Sequence, residues 1–251
     1  MDFLGRHMAF TYAFALVAVF QTACNKPNAP DCLQRAGEPA VETREFDQNI
    51  AIIEMHDVID LVLHESDEQY IELRGPANLL SDIETTLDNG TLKITDENRC
   101  NFVRKLGVRY CIDFYGPFTQ IDHQGAGNVT ADGTLHMQEF HLENHGSSGT
   151  HSVDLDCDIV VYKTHTGTAN AVLTGTCDEA FYFNAGLDKI DARNLMSTSV
   201  IVNSNSINSI SVHALSYLSA QIQSDGDIMY WGQPSTIELQ QEGDGQLLIG
   251  Q

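Results

Sequence analysis

A small, turn-prone residue returns every 18 to 22 positions through the second half of the chain. Between these residues apolar and polar side chains alternate, as from Thr236 to Gln240, and a two-residue period is that of a β-strand. Strands inside a unit of about 20 residues are typical of a β-solenoid, whose stacked coils share one core. We therefore predict an all-β protein, a right-handed β-helix of roughly six coils. The turn residues of the repeat are Gly127, Gly149, Gly167, Gly186, Ser206, Gly226 and Gly245.

One short helix is predicted before the repeats. After Gly75 and Pro76, apolar residues recur at spacings of three and four, which gives one stripe along a helix. The pair Asn89-Gly90 would end this helix. We expect it to cap one end of the solenoid, because an open coil exposes strand edges and core. The residues of the stripe are Leu79, Leu80, Ile83 and Leu87.

The first 23 residues have the form of a signal peptide. A mostly apolar run of 13 residues, Met8 to Phe20, follows a short polar start and is too short to span a bilayer. The small residues before Cys24 resemble the lipobox of bacterial lipoproteins, in which the cysteine carries the lipid. An ordinary signal peptide cut nearby is the alternative.

The chain after the signal peptide is predicted to have three parts. Residues 24–44 contain three prolines and are expected to form a tether. Residues 45–251 are expected to form one domain, with a β-rich cap at 45–124 and the repeated coils at 125–251.

The charge of the chain limits its partners. Against 13 Lys and Arg there are 35 Asp and Glu, which gives a net charge of −22. Such a surface repels phosphate backbones, so nucleic acid is excluded as a partner. The expected partners are a membrane, through a lipid on Cys24, and a glycan or protein on a surface. The expected location is the cell envelope, with the lipid anchor in the outer membrane. No resident cofactor is predicted.

The cysteines that follow Cys24 are five, so at least one of them cannot pair within the chain. Cys157 and Cys177 are 20 residues apart, which is about one coil. Stacked coils could bring their backbones within reach of a disulfide bond. An oxidising compartment outside the cytoplasm would allow such bonds to persist.

Histidines and aspartates near the start of the repeats are the candidate site residues. His145, His151 and His165 could lie on the outer face of neighbouring coils, and there they could hold a transition metal or form a pH-sensitive patch. We expect replacing all three by Ala to leave the melting temperature unchanged in the absence of metal. The alternative is that they are ordinary solvent-facing residues.

The aspartates alternate with apolar residues and should share one outward face. They are a candidate binding surface, or else a solvated acidic face, since the glycine-rich nonapeptide of calcium-binding solenoids is absent. No catalytic residue is predicted. The acidic residues in question are Asp154, Asp156 and Asp158.

A series of short motifs resembles a known family. Their joint order is similar to that of the DUF2807 family, also called the "putative auto-transporter adhesin, head GIN domain", over roughly residues 44–250. The resemblance implies a β-helix-like fold on a secreted or lipid-anchored envelope protein, and it offers no catalytic residues to carry over. It also implies that Cys32 pairs with Cys100. The motifs are Asp57–Leu63, Asn89–Ile94, Asn98–Asn101, Gly125–Val129 and His165–Ala169.

These observations favour a non-enzymatic envelope protein that presents a repetitive surface for binding or adhesion. One alternative is a polysaccharide-acting β-helix enzyme, which would need a concave groove with convergent carboxylates. The other is a structural envelope lipoprotein without a ligand.

Overall fold

A computed structural model describes residues 36–98 and 109–250. Within these ranges the chain forms sixteen strands and one short 3-10 turn, Leu80–Asp82, and no longer helix. None of the described segments is a helix long and apolar enough to cross a membrane. The strands are β1 Pro39–Glu45, β2 Ile52–Met55, β3 Ile59–His64, β4 Tyr70–Pro76, β5 Ile83–Asp88, β6 Thr91–Asp96, β7 Tyr110–Tyr115, β8 Gln120–His123, β9 Val129–Ser147, β10 Thr150–Gly167, β11 Asn170–Asn184, β12 Lys189–Ser204, β13 Ile210–Ile222, β14 Ile228–Trp231, β15 Thr236–Gln241 and β16 Leu247–Ile249.

Strands β9 to β13 stack in parallel, each on the strand that follows it. Because each coil is about 20 residues long, residues that distance apart pair directly and form columns through the molecule. One such column faces inward and is fully or almost fully buried. The predicted β-solenoid of about six coils is confirmed. The residues of this column are Leu142, Tyr162, Tyr182, Val202 and Ala220.

The repeated glycines stack on one another and have no room for a side chain. A Cβ atom on Gly149 would lie 1.7 Å from the carbonyl oxygen of Gly127. A Cβ atom on Gly127 would lie 1.7 Å from the carbonyl oxygen of Ile59 in the preceding coil. Real side chains cannot come that close to a backbone, so glycine is needed at these two positions, where one turn packs tightly on the next. This close approach explains the most regular feature of the sequence.

The predicted helix around residues 79–87 is wrong. Leu80–Asp82 form only the short 3-10 turn, and β5 follows at once as one strand of an antiparallel hairpin with β6. Asn89 and Gly90 have positive φ values of 50° and 81°, which are those of a tight hairpin turn. The pair therefore reverses a strand and does not end a helix, although the three- and four-residue spacing of leucines imitates a helical stripe.

Within the described residues, antiparallel strands and no helix cover the N-terminal end of the solenoid. One wall of the stack begins in the order β1-β4-β7-β3-β9, and the other begins β5-β6-β2-β8-β9. Parallel stacking already starts at β2 and β3, before the predicted boundary at residue 125. Strand β1 lies within the segment predicted as a tether, so that segment is ordered at least from Pro39.

The other end of the described chain is open. All six residues of β15 are exposed, although β15 continues the wall whose earlier strands are buried. Ile237 and Leu239 pair with the buried Leu218 and Ala220 of β13, and they are 43% and 48% exposed. The core therefore thins toward the last described coil.

Candidate functional site

A cluster of basic side chains surrounds Glu143 on the outer face of β9 and β10. Glu143 pairs directly with Lys163 in the sheet, and the Lys163 ammonium lies 2.9 Å from its Oε1 atom. The Nε2 atom of His141 is 3.1 Å from the same oxygen. The other oxygen, Oε2, is 3.0 Å from Nε2 of His165 and 3.4 Å from Nε2 of His145. Four basic nitrogen atoms thus contact this one carboxylate.

This surrounding keeps Glu143 ionised. Partial burial raises its pKa, but hydrogen bonds from Lys163 and His165 outweigh that effect and lower the pKa to about 2. The rings of His145 and His165 stack with centroids 4.5 Å apart and planes 4° apart, as side chains on adjacent coils can. Glu143, His145 and His165 offer ligand atoms that all lie within 4.8 Å of one another.

The structure therefore brings together two of the three histidines predicted to form a metal site. His145 and His165 meet, as expected from the stacking of coils, and Glu143 joins them although the sequence reasoning missed it. A signal was present: Glu143 and His145 have the same parity on one strand, and Lys163 and His165 follow one coil later. His151 is not part of this cluster.

His151 lies inside the solenoid and is fully buried. It pairs with Val129 and Ala171, two residues of the core, and it shares the inward parity of Val153 and Leu155. The prediction that His151 lies on the outer face is therefore wrong, and the reason for expecting its replacement to leave stability unchanged no longer holds. The alternation along β10 itself places His151 on the inward face, with Val153 and Leu155.

Buried His151 belongs to a chain of hydrogen bonds that ends on a carboxylate. The Tyr162 hydroxyl donates to Oδ2 of Asp188 at 3.1 Å, so its oxygen accepts from Nδ1 of His151 at 2.7 Å. Nε2 of His151 must then accept from Nδ1 of His123, which lies 2.8 Å away. Asn144 and Thr164 donate to the same oxygen of Asp188 as Tyr162 does, each at 2.7 Å.

Four donors in total hold Asp188, because the backbone N–H of Ala169 donates to its Oδ1 atom at 2.8 Å. Burial raises the pKa of Asp188, and the hydrogen bonds oppose that rise. Burial also lowers the pKa of His123 to about 4 and that of His151 to about 3. The two histidines are therefore neutral at physiological pH. This chain of hydrogen bonds stabilises the interior of the solenoid and is closed to a substrate, because its residues are buried.

The three aspartates predicted to form a binding face do point away from the core, but they are spread along the strand. Asp154 accepts hydrogen bonds from the hydroxyls of Thr134 and Thr174 on the coils before and after it. These bonds lower the pKa of Asp154. Asp156 accepts from the hydroxyl of Thr176 at 3.0 Å, and Asp158 is exposed. Asp154 and Asp156 thus form side-chain hydrogen bonds between neighbouring coils on the surface of the sheet.

The predicted cysteine pair is stacked in register. Cys157 and Cys177 occupy matching positions of β10 and β11, both are buried, and the structure has both as thiols. Burial raises the pKa of Cys157 to about 12 and also raises the pKa of Cys177. Three other cysteines with assigned roles, Cys24, Cys32 and Cys100, lie outside the described residues.

A groove of about 670 Å³ runs beside β9. Its apolar lining comes from Phe118, Leu135 and Met137, and Phe118 packs edge-on against Phe140 of the core. Its polar lining comes from residues that include Glu65, Asp67, His136 and Glu139, and Glu65 is bonded to His136 across the groove. An apolar floor with a few convergent polar groups is the usual character of a ligand-binding site. No pattern in the sequence indicates this groove, because its walls are far apart in the chain.

Comparisons with known proteins agree with the fold. The family model described as "Putative auto-transporter adhesin, head GIN domain" matches residues 51–234. No curated protein matches the sequence. A crystal structure of a "putative adhesin" from Bacteroides fragilis NCTC 9343 superposes with a TM-score of 0.76 at 19% identity, covering 86% of this chain and 99% of that one.

Two further crystal structures have the same fold at lower similarity. One is a "putative adhesin" from Parabacteroides merdae ATCC 43184, with a TM-score of 0.61 at 16% identity, covering 85% of this chain and 98% of that one. The other is a "putative lipid binding protein" from Parabacteroides distasonis ATCC 8503, with a TM-score of 0.59 at 19% identity, covering 86% and 100%. At these identities the likeness concerns the fold alone.

Proposed function

The chain belongs to the DUF2807 family, described as "Putative auto-transporter adhesin, head GIN domain", and from this premise we propose that it is a non-enzymatic lipoprotein of the cell envelope. In this proposal Cys24 carries the lipid that anchors the chain in the outer membrane. The solenoid then presents its outward face to a glycan or a protein on another surface. The family description supports an envelope location, and the lipobox-like segment before Cys24 supports the anchor.

The groove beside β9 is the observation that carries the binding proposal. It combines an apolar floor, including Phe118 and Met137, with carboxylates at its edge. Carboxylates accept hydrogen bonds from the hydroxyl groups of a sugar or from the donors of a peptide. Strand β9, which forms one wall of the groove, is paired with β10 along the residues that line the groove, so this wall is pre-formed. Pre-formed sites bind with a lower entropic cost.

The arrangement of carboxylates favours binding over hydrolysis. A glycosidase needs two carboxyl groups that face each other across the scissile bond. In the described part of the chain, Asp188 is buried and held by four donors, and Asp154 is occupied by two threonine hydroxyls. Neither is available to protonate or attack a substrate. Among the carboxylates that line the groove, Glu65 accepts from the backbone N–H of His136 and contacts its ring, which lowers the pKa of Glu65 and makes it a poor acid. This supports the non-enzymatic reading over the polysaccharide-acting enzyme.

Protease accessibility on intact cells tests the location. If the solenoid faces outward, a protease added to intact cells should degrade it while leaving a periplasmic marker whole. Protection of the chain until the outer membrane is permeabilised would place it in the periplasm and contradict a role in adhesion to external surfaces.

A groove-blocking variant tests the binding. Gln138 is exposed in the wall of the groove, so Gln138→Trp should fill the groove without disturbing the core. The purified protein should bind at least one member of a panel of immobilised glycans and mucins, and the variant should lose that binding. Gln240→Trp, on the exposed strand β15, is the matched control and should bind normally. Equal binding by both variants would show that the groove is not the site.

A further inference from the structure

We propose that Glu143, His145 and His165 form a binding site for a zinc ion on the outer face of β9 and β10. Two imidazoles and a carboxylate are a common ligand set for Zn²⁺. Adjacent ligand atoms of a tetrahedral zinc site with bonds of about 2.0–2.1 Å are about 3.3 Å apart. The Oε2 atom of Glu143 already lies 3.0 Å and 3.4 Å from the Nε2 atoms of His165 and His145.

The carboxylate is oriented for this role by groups on its other oxygen. Lys163 and His141 both contact Oε1 of Glu143, so Oε2 is the atom left to face the two histidines. Contacts of this kind behind a ligand fix its direction and contribute to metal affinity. The positive charge of Lys163 also opposes the charge of the ion. We therefore expect an exchangeable zinc ion and not a permanently bound one.

Zinc binding requires a small local change. The rings of His145 and His165 are stacked, and both lone pairs can converge on one ion only if a ring turns. His165 is packed on its other side by the ring of Phe183, with centroids 5.8 Å apart, so His145 is the ring that turns. The side chain of His145 is 38% exposed, so it can turn without disturbing the core. Each Nε2 atom must present its lone pair to the ion, so the single proton of each neutral imidazole must lie on Nδ1.

The site would have an open position. Three protein ligands leave the fourth position of a tetrahedral zinc ion to water, which distinguishes such a site from a closed structural one. The ligands come from two successive coils, with Glu143 and His145 on β9 and His165 on β10. A bound ion would therefore join these coils, and it should stabilise the fold as well as bind.

Calorimetric titration with zinc chloride alone tests the proposal on the purified full-length chain. We expect one equivalent of zinc to bind. Zinc at about 100 times its dissociation constant should raise the melting temperature by roughly 5–10 °C. Glu143→Gln, His145→Ala and His165→Ala should each remove the heat of binding and the rise in melting temperature.

His56→Ala is the matched control. His56 also contacts a glutamate, Glu54, which in turn contacts a lysine, Lys93, but among the described residues no third metal-ligating side chain completes a site with this pair. This variant should bind zinc as the unchanged protein does. A flat titration of the unchanged protein would overturn the proposal. So would zinc binding that survives in the His145→Ala, His165→Ala double variant, or a loss of binding in His56→Ala equal to that in the site variants.

Discussion

The Nδ1 atom of His123 lies 2.8 Å from the Nε2 atom of His151, and both rings are fully buried. Two imidazoles joined in this way cannot both carry a positive charge in an apolar interior. The bond requires a lone pair on Nε2 of His151, which accepts from the N–H of His123, and burial keeps both rings neutral by lowering their pKa values. The fold therefore depends on the protonation of two residues that lie on different coils.

Acid should destabilise the protein through this pair. The pKa values of His123 and His151 are lowered from 6.5 to about 4 and about 3 in the folded state. The unfolded chain therefore takes up protons below about pH 6.5 while the folded chain does not, and stability falls as the pH falls. Each histidine should contribute up to about 1.4 kcal/mol per pH unit between about pH 6 and pH 4.5.

Urea unfolding at a series of pH values measures this slope. A His123→Phe variant removes one titrating group and should show a shallower dependence on pH, whatever its absolute stability. His136→Ala, which changes an exposed histidine, should leave the slope unchanged. A slope that is the same in all three proteins would rule out the buried pair as its cause.

The hydroxyl of Tyr162 should contribute more to the stability of the fold than the hydroxyl of the neighbouring Tyr182. Tyr162→Phe leaves the Nδ1–H of His151 unpaired and takes one donor from Asp188, which should cost about 1–3 kcal/mol in the free energy of unfolding. Tyr182 is the next residue of the same inward column and is not part of the hydrogen-bond chain that ends on Asp188. Tyr182→Phe should therefore lower the free energy of unfolding by less than Tyr162→Phe does. Chemical denaturation of both variants checks the difference, and equal losses would contradict it.

The interior of a coil should tolerate no charge. Leu155 is fully buried, so Leu155→Asp places an unpaired carboxylate in the core and should cost several kcal/mol. Asp158→Ala, three residues away on the exposed face, should change stability by no more than about 0.5 kcal/mol. Thermal melts of the two variants provide the measurement. A Leu155→Asp protein that melts like the unchanged one would contradict the inward column.

Lipidation of Cys24 can be tested directly. Cys24→Ala should release the protein into the soluble fraction and abolish labelling by radioactive palmitate, because the acceptor sulfur is gone. Cys111→Ala, which changes a cysteine in the folded domain, should remain with the membrane. If Cys24→Ala still partitions into detergent as the unchanged protein does, the lipid anchor is disproved.

Peptide mapping without reduction tests the disulfide predictions. If Cys32 pairs with Cys100 and Cys157 pairs with Cys177, denatured and unreduced protein isolated from the envelope should be alkylated at Cys111 alone. The register of β10 and β11 makes the second pair possible, because it places the two residues side by side. Alkylation of Cys157 and Cys177 before reduction would show that both stay thiols in the cell.

Much of the fold could be predicted because the solenoid repeats its own constraints. Most coils have glycine where one turn meets the next, with Ser206 as an exception, and apolar residues alternate with polar ones along the strands, so the same pattern occurs several times in the sequence. The helix prediction is wrong for residues 79–87, which lie outside the repeated pattern. The spacing of Leu79, Ile83 and Leu87 fits both structures, and the geometry at Asn89 and Gly90 decides between them.

The candidate site was predictable only in part. His145 and His165 could be placed together because they are one coil apart. The role of Glu143 depends on which of its two carboxylate oxygens contacts Lys163. Side-chain packing decides this. Asp188 lies in the turn between β11 and β12, where sequence patterns indicate solvent, and it is buried because Asn144 and Thr164 fold over it.

The bonds to Asp188 also decide which part of the solenoid opens first. They tie together β9, β10 and the segments before β11 and β12, whereas β15 at the other end is exposed on every residue. Repeat proteins lose structure from the unit with the weakest interface. The coils after β13 can therefore fray without disturbing the rest, and the coils joined through Asp188 can open only together. The backbone amides of the chain should exchange with solvent in that order, and the slowest should surround the buried carboxylate.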